Sequence, residues 1–148
     1  SYLFVISMHN RAVAIRIKDA TSGAFQPMSE MWSTQLLGAG DGRGKCRPVA
    51  TASFVYTAET RRSIVALNAA TGAIVWRWSL AGNVTASCQL TVANGTLIVQ
   101  TTTAVVGLST LYDAPNRVLW TQPLALAPGL PQTLLATAFP MPPLVTTR

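Results

Sequence analysis

The feature that most constrains this chain is an interval. Trp32, Trp76 and Trp120 are spaced evenly, 44 residues from each to the next. Each stands after the same local order: an apolar run, a turn, and a second run that reaches the tryptophan. The middle copy is the clearest. Ser63, Ile64, Val65, Ala66 and Leu67 are mostly apolar or β-branched and favour a strand. Asn68 offers a side-chain acceptor to a turning backbone, and Gly72 can take the positive φ that a tight turn needs. Ile74, Val75, Trp76, Arg77 and Trp78 resume strand character, with Trp76 and Trp78 on one face. A helix through residues 66–75 competes on alanine content alone. Gly72 interrupts it and both flanks are β-branched, so the strand reading holds.

The outer copies are looser. Before Trp32 stand Ala14, Ile15, Arg16 and Ile17, then a longer turn whose glycine is Gly23. Before Trp120 stand Val106, Gly107, Leu108 and Ser109, and Asn116-Arg117 takes the place of the turn glycine. Between the tryptophans there is room for two more strands per unit: residues 48–52 and 54–58 in the second, 84–92 and 96–101 in the third. The last two flank Asn94-Gly95, a strong hairpin signal between β runs. Four short strands in a repeat of about 44 residues is the size of one propeller blade. The expected architecture is therefore an all-β propeller with about three four-stranded blades, part of a larger ring. An incomplete blade falls at 1–36, a Gly-rich basic loop at 37–46, blades at 47–80 and 84–123, and the start of a further blade at 132–148.

Composition agrees with a structure that is mostly core or covered. The 148 residues are 49% hydrophobic and only 11% charged, against an average charged share of about 25%. Residues 124–145 are apolar enough to suggest a membrane span. Five prolines interrupt them, each costing a helix interior about 3 kcal/mol, so strand and loop are expected instead. The net charge is +6. The basic residues come in short groups (Arg16 and Lys18; Arg43, Lys45 and Arg47; Arg61 and Arg62), which fits solvated loop charges better than a nucleic-acid surface. Cys46, Cys88 and the single histidine, His9, make neither a disulfide framework nor a zinc site. Aligned on the tryptophan interval, the two cysteines fall near the first strands of neighbouring blades. They are expected not to be bonded to each other.

The repeat resembles the blade of the quinoprotein, or PQQ-like, β-propeller superfamily. Its tryptophan-docking motif runs Ala-x-Asp-x-x-x-Gly-x-x-x-Trp, and Ala66, Asn68, Gly72 and Trp76 match it with asparagine for aspartate. The resemblance implies structural docking roles for Trp32, Ala66, Asn68, Gly72, Trp76 and Trp120. It also implies that catalytic members hold a quinone, with calcium and often a vicinal disulfide, in a central funnel. This chain has no adjacent cysteines, and its five acids, Asp19, Glu30, Asp41, Glu59 and Asp113, are scattered and mostly expected at turns. No catalytic, cofactor or metal residue is assigned. The loop from Gly38 to Cys46 fails as a phosphate loop, because Ala39 and Cys46 stand where glycine and Ser or Thr are needed.

The expected role is a non-catalytic scaffold for protein contacts. The partners would be further propeller blades or other subunits, in an extracellular, lumenal or periplasmic compartment. The alternative is a fragment of a quinone-dependent dehydrogenase whose active-site residues lie outside the chain. Asn83 and Asn94 head N-glycosylation sequons, and Asn94 reads equally well as a turn residue tolerating positive φ. Arg77, between two tryptophans, is expected at the rim, with a cation–π contact as its other option.

Overall fold

A computed structural model describes residues 1–18, 21, 22, 25–38, 47–82 and 84–125. They form eleven strands and, among the described residues, no helix. The strands are β1 (Tyr2–Ile6), β2 (Arg11–Lys18), β3 (Phe25–Gln35), β4 (Val49–Ala50), β5 (Phe54–Thr60), β6 (Ser63–Asn68), β7 (Ile74–Ser79), β8 (Ala86–Ala93), β9 (Thr96–Thr101), β10 (Ala104–Ser109) and β11 (Val118–Pro123). They make three antiparallel meanders, β1-β2-β3, β4-β5-β6-β7 and β8-β9-β10-β11. The Asn94-Gly95 hairpin has both residues at positive φ, 48° and 71°, as a two-residue turn between right-twisted strands requires.

The core lies between sheets rather than within one. Strand side chains alternate faces. In the middle sheet, Val55, Val65 and Leu67 pack towards the first sheet, with Ala12, Ala14, Trp32 and Leu36. Tyr56, Ala58, Ile64, Ala66 and Trp76 pack the other way, with Leu97, Val99, Val106 and Leu108 of the third. Both faces of the middle blade are thus covered. That is why β6 reads as a continuous apolar run rather than an alternating one. Face-to-face stacking of successive four-stranded meanders is the arrangement of propeller blades.

The tryptophans occupy equivalent places. Trp32 pairs across the sheet with Ala14, Trp76 with Ala66, and Trp120 with Gly107. In each blade a register shift follows the paired small residue, between Ala14 and Ile15, Ala66 and Leu67, and Gly107 and Leu108. The row continues inward to Phe4, Tyr56 and Ile98. A small residue in the strand before the tryptophan leaves space above it for an indole. A Cβ on Gly107 would lie 2.2 Å from the Trp120 ring.

Candidate docking site between the blades

The turn between β6 and β7 is built by Asn68. Its side-chain Oδ1 accepts from the backbone N–H groups of Ala70 (2.9 Å) and Thr71 (3.1 Å), and Gly72 N–H donates to the Asn68 carbonyl at 2.8 Å. Gly72 closes the turn at φ 73°. The turn receives the first blade. Trp32 Nε1–H donates to the Ala69 carbonyl at 2.9 Å, and Thr34 Oγ1 donates to the Gly72 carbonyl at 2.6 Å. A Cβ on Gly72 would fall 2.4 Å from Trp32 Cε3 and 2.8 Å from Thr34 Oγ1. Gly72 is therefore required twice, by its φ and by the ring seated on it. Phe4 lies 5.9 Å from Trp32 centroid to centroid, backing the ring from its own blade.

A second contact joins the same two blades at the opposite end of the strands. Asn10, buried at φ 56° in the turn between β1 and β2, donates from Nδ2 to the carbonyls of Glu59 (2.9 Å) and Leu37. Glu59 is fully buried on β5. Its Oε1 accepts from the Leu37 N–H at 2.9 Å and from Arg77 Nη2 at 3.0 Å, and its Oε2 accepts from Arg77 Nε at 2.8 Å. The carboxylate is thus held by a two-pronged guanidinium and a backbone donor, the arrangement that makes burial of an acid tolerable. Hydrogen bonding to Glu59 raises the Arg77 pKa further above neutrality.

The contact between the second and third blades is different. Trp76 is 8% exposed and packs against Tyr56, the tilted rings 5.8 Å apart centroid to centroid. Where Gly72 receives Trp32, the third blade presents Arg117, whose guanidinium carbon lies 4.4 Å from the centre of the Trp76 ring. Arg117 also donates to the carbonyls of Ser109 (2.9 Å), Leu111 and Tyr112 (3.1 Å), tying up the turn. Trp76 Nε1 and Tyr56 Oη are buried without a hydrogen-bond partner. Burial raises the Tyr56 pKa. The hydroxyls of Thr110 and Thr51 act the other way, though neither meets hydrogen-bond geometry. Burial lowers the Arg117 pKa.

Arg77 is part-exposed, as a rim charge would be, and is paired with Glu59; the cation over a tryptophan is Arg117 of the next blade. One expectation needs correction. Glu59 is not a turn acid but a buried strand residue, stable there because Arg77 and Leu37 satisfy it. The roles of Thr34, Asn10 and Arg117 were missed. Asn10 had a signal in Met8-His9-Asn10 between two apolar runs; Thr34 had none.

Trp120 is 41% exposed, and Val118 and Leu119 beside it are exposed too. Asn94 sits exposed at its hairpin. Asn83, Cys46, the loop over 39–46 and the expected further blade at 132–148 lie outside the described residues, and with Cys46 goes the question of its bonding to Cys88. Among the described residues no three His, Cys, Asp or Glu side chains gather as metal ligands, and no helix is long and apolar enough to cross a membrane.

Stacked antiparallel meanders, one of three strands and two of four among the described residues, with a tryptophan at an equivalent place in each, define the chain as a partial β-propeller. Residues 3–139 match the family model described as outer membrane protein assembly factor BamB, and the chain belongs to this PQQ-like repeat family. Among solved structures it is similar to a europium-containing methanol dehydrogenase, with a TM-score of 0.60 and 15% identity over 82% of this chain and 22% of that one. It is also similar to BamB from Moraxella catarrhalis, with a TM-score of 0.57 and 16% identity over 82% of this chain and 33% of that one. The chain thus spans a third or less of either protein. Comparison with curated proteins gave no match.

Proposed function

We propose that these blades belong to a non-catalytic propeller scaffold that mediates protein contacts within a larger protein or complex. The observation that carries this reading is the family match over residues 3–139, whose description is that of an assembly factor. The use of charge supports it. Glu59 and Arg77 are spent on each other, and Arg117 on Trp76, all at contacts between blades. The reading places the protein outside the cytoplasm, in a periplasmic or comparable extracellular compartment. There the sequons at Asn83 and Asn94 would be open to glycosylation if the compartment is secretory. No quinone, nucleotide or metal is required for the role.

The likeness to a methanol dehydrogenase favours a second reading, that the blades form part of a quinone-dependent enzyme. One experiment separates the two. The full-length protein is incubated with pyrroloquinoline quinone, calcium or a lanthanide, and methanol, and reduction of an artificial electron acceptor is followed. In parallel, cross-linking in cells and mass spectrometry identify neighbours. A stoichiometric protein neighbour without turnover supports the scaffold. Quinone-dependent turnover overturns it.

A further inference from the structure

The charges of the described residues are divided between the two ends of the blades. At the end carrying the turns between β2 and β3, β6 and β7, and β10 and β11, they nearly balance: Arg16, Lys18 and Arg117 against Glu30 and Asp113. At the opposite end stand Arg11, Arg47, Arg61, Arg62 and Arg77, and Glu59 is the one acid among the described residues there. Glu59 is fully buried and paired with Arg77, so these two cancel and Arg11, Arg47, Arg61 and Arg62 carry the uncompensated charge. This end is also continuous from blade to blade. Asn10 bonds Glu59, which brings the turn with Met8 and His9 beside the turn with Arg61 and Arg62. The backbone carbonyls of Arg61 and Arg62 accept from Ala86 and Leu80, fixing that turn against the third blade while both side chains stay exposed. Met8 and Leu37, both exposed, lie among these arginines.

Building on the scaffold reading, we infer that this basic end is a docking surface for an acidic polypeptide segment, one that pairs Asp or Glu with an apolar side chain. All four uncompensated cations are arginine, whose planar fork matches a carboxylate in two-pronged fashion, as Arg77 and Glu59 show within the molecule. Met8 and Leu37 give such a segment an apolar foothold, which a phosphate backbone would leave uncovered. Trp78, the tryptophan at this end, is packed against the core between the second and third blades rather than standing free to stack on bases, as single-stranded nucleic acid binding needs. Charge complementarity of this kind sets association rate and partner choice, and it weakens with salt.

The test uses the full-length protein and a fluorescein-labelled peptide of alternating Glu-Glu-Leu units, read by anisotropy. A single-stranded oligonucleotide and vesicles of anionic phospholipid serve as competing probes. The expected result is saturable peptide binding that weakens at least tenfold in R61E/R62E and stays within about twofold of wild type in R16E, a charge reversal at the opposite end. Arg61 and Arg62 side chains are exposed, so the variant should keep its fold, checked by an unchanged melting temperature. Equal losses in the two variants, no peptide binding, or tighter binding of the oligonucleotide or vesicle each overturn the inference. If R61E/R62E still cross-links to the cellular protein neighbour, the basic end is refuted while the scaffold reading stands. If no such neighbour exists, it is the scaffold reading that falls.

Discussion

The two blade-to-blade contacts solve one problem with different chemistry. At the first, a glycine turn accepts an indole by absence: Gly72 has no Cβ, and the Ala69 carbonyl takes the indole proton. At the second, the turn has no glycine and accepts the indole by presence: Arg117 covers the ring of Trp76 and fills the turn's carbonyls itself. The first is satisfied at every polar atom of its indole; the second leaves Trp76 Nε1 and Tyr56 Oη unpaired. A motif can therefore lose its defining glycine and keep its seat, provided a cation replaces close packing with attraction to the ring face. What it gives up is the indole hydrogen bond.

The largest expected effect comes from putting a side chain where the first contact needs none. Gly72→Val combines a β-branched residue at φ 73° with a Cβ 2.4 Å from Trp32. Backbone strain of roughly 1–3 kcal/mol and overpacking of similar size should sum to about 3–5 kcal/mol. Chemical denaturation of the full-length protein checks the magnitude. Faster amide exchange at Thr34 and at position 72, with β9 and β10 unaffected, would place the loss at the first contact. An unchanged midpoint would show that the ring is not seated on this turn.

Glu59→Ala tests the lower half of the same contact. Removing one member of a buried pair costs about 3–5 kcal/mol. Here Arg77 is 40% exposed and can turn to water, so about 2 kcal/mol is expected. The Leu37 amide, bonded to Glu59 Oε1, should lose exchange protection first. Arg77→Ala should cost more than its exposure suggests, because it strands a fully buried carboxylate.

How much of this was legible in sequence follows from which signals are local. The strands, the meander order and the Asn94-Gly95 hairpin were, because period-two patterning and turn chemistry act within a few residues. The Asn68 turn and the row of Ala66 and Trp76 were visible for the same reason, helped by the resemblance to PQQ-like blades. Contacts between blades were not. Nothing near Glu59 announces that Arg77, on a different strand, would neutralise it. Arg117 reads as an ordinary loop charge until the third blade brings it over Trp76. Equal tryptophan spacing also hid unequal parts. The turn between β10 and β11 is longer than that between β6 and β7, and the connections between blades absorb the difference.

Arg117→Ala acts at the second contact alone. A cation–π contact of this burial is worth about 1–2 kcal/mol, and three turn carbonyls lose a donor, though water can replace it at the exposed ones. A loss of about 1–2 kcal/mol is expected, with increased quenching of Trp76 fluorescence by acrylamide. Arg117→Lys should recover little of it, since an ammonium cannot lie flat on the ring and reach three carbonyls together.

The smallest effect is the sharpest comparison, because it changes one atom's chemistry at both contacts. Trp32→Phe and Trp76→Phe each remove an indole N–H and shorten a ring. At Trp32 the N–H donates to Ala69, so the substitution leaves a part-buried carbonyl without its donor as well as reducing packed area. A net hydrogen bond is worth about 0.5–1.5 kcal/mol, and leaving one partner unsatisfied costs about 1–3 kcal/mol. At Trp76 the N–H is buried and unpaired, so its removal relieves a desolvation cost of similar size while packing and ring attraction for Arg117 are reduced. The two terms oppose at Trp76 and add at Trp32. Trp32→Phe should therefore destabilise by about 1 kcal/mol or more beyond Trp76→Phe, despite nearly equal burial of the two rings. Paired denaturation curves of the single variants measure the difference. Equal losses would mean that Trp76 Nε1 has a partner after all, an ordered water being the natural one, and that the two contacts are more alike than their turns suggest.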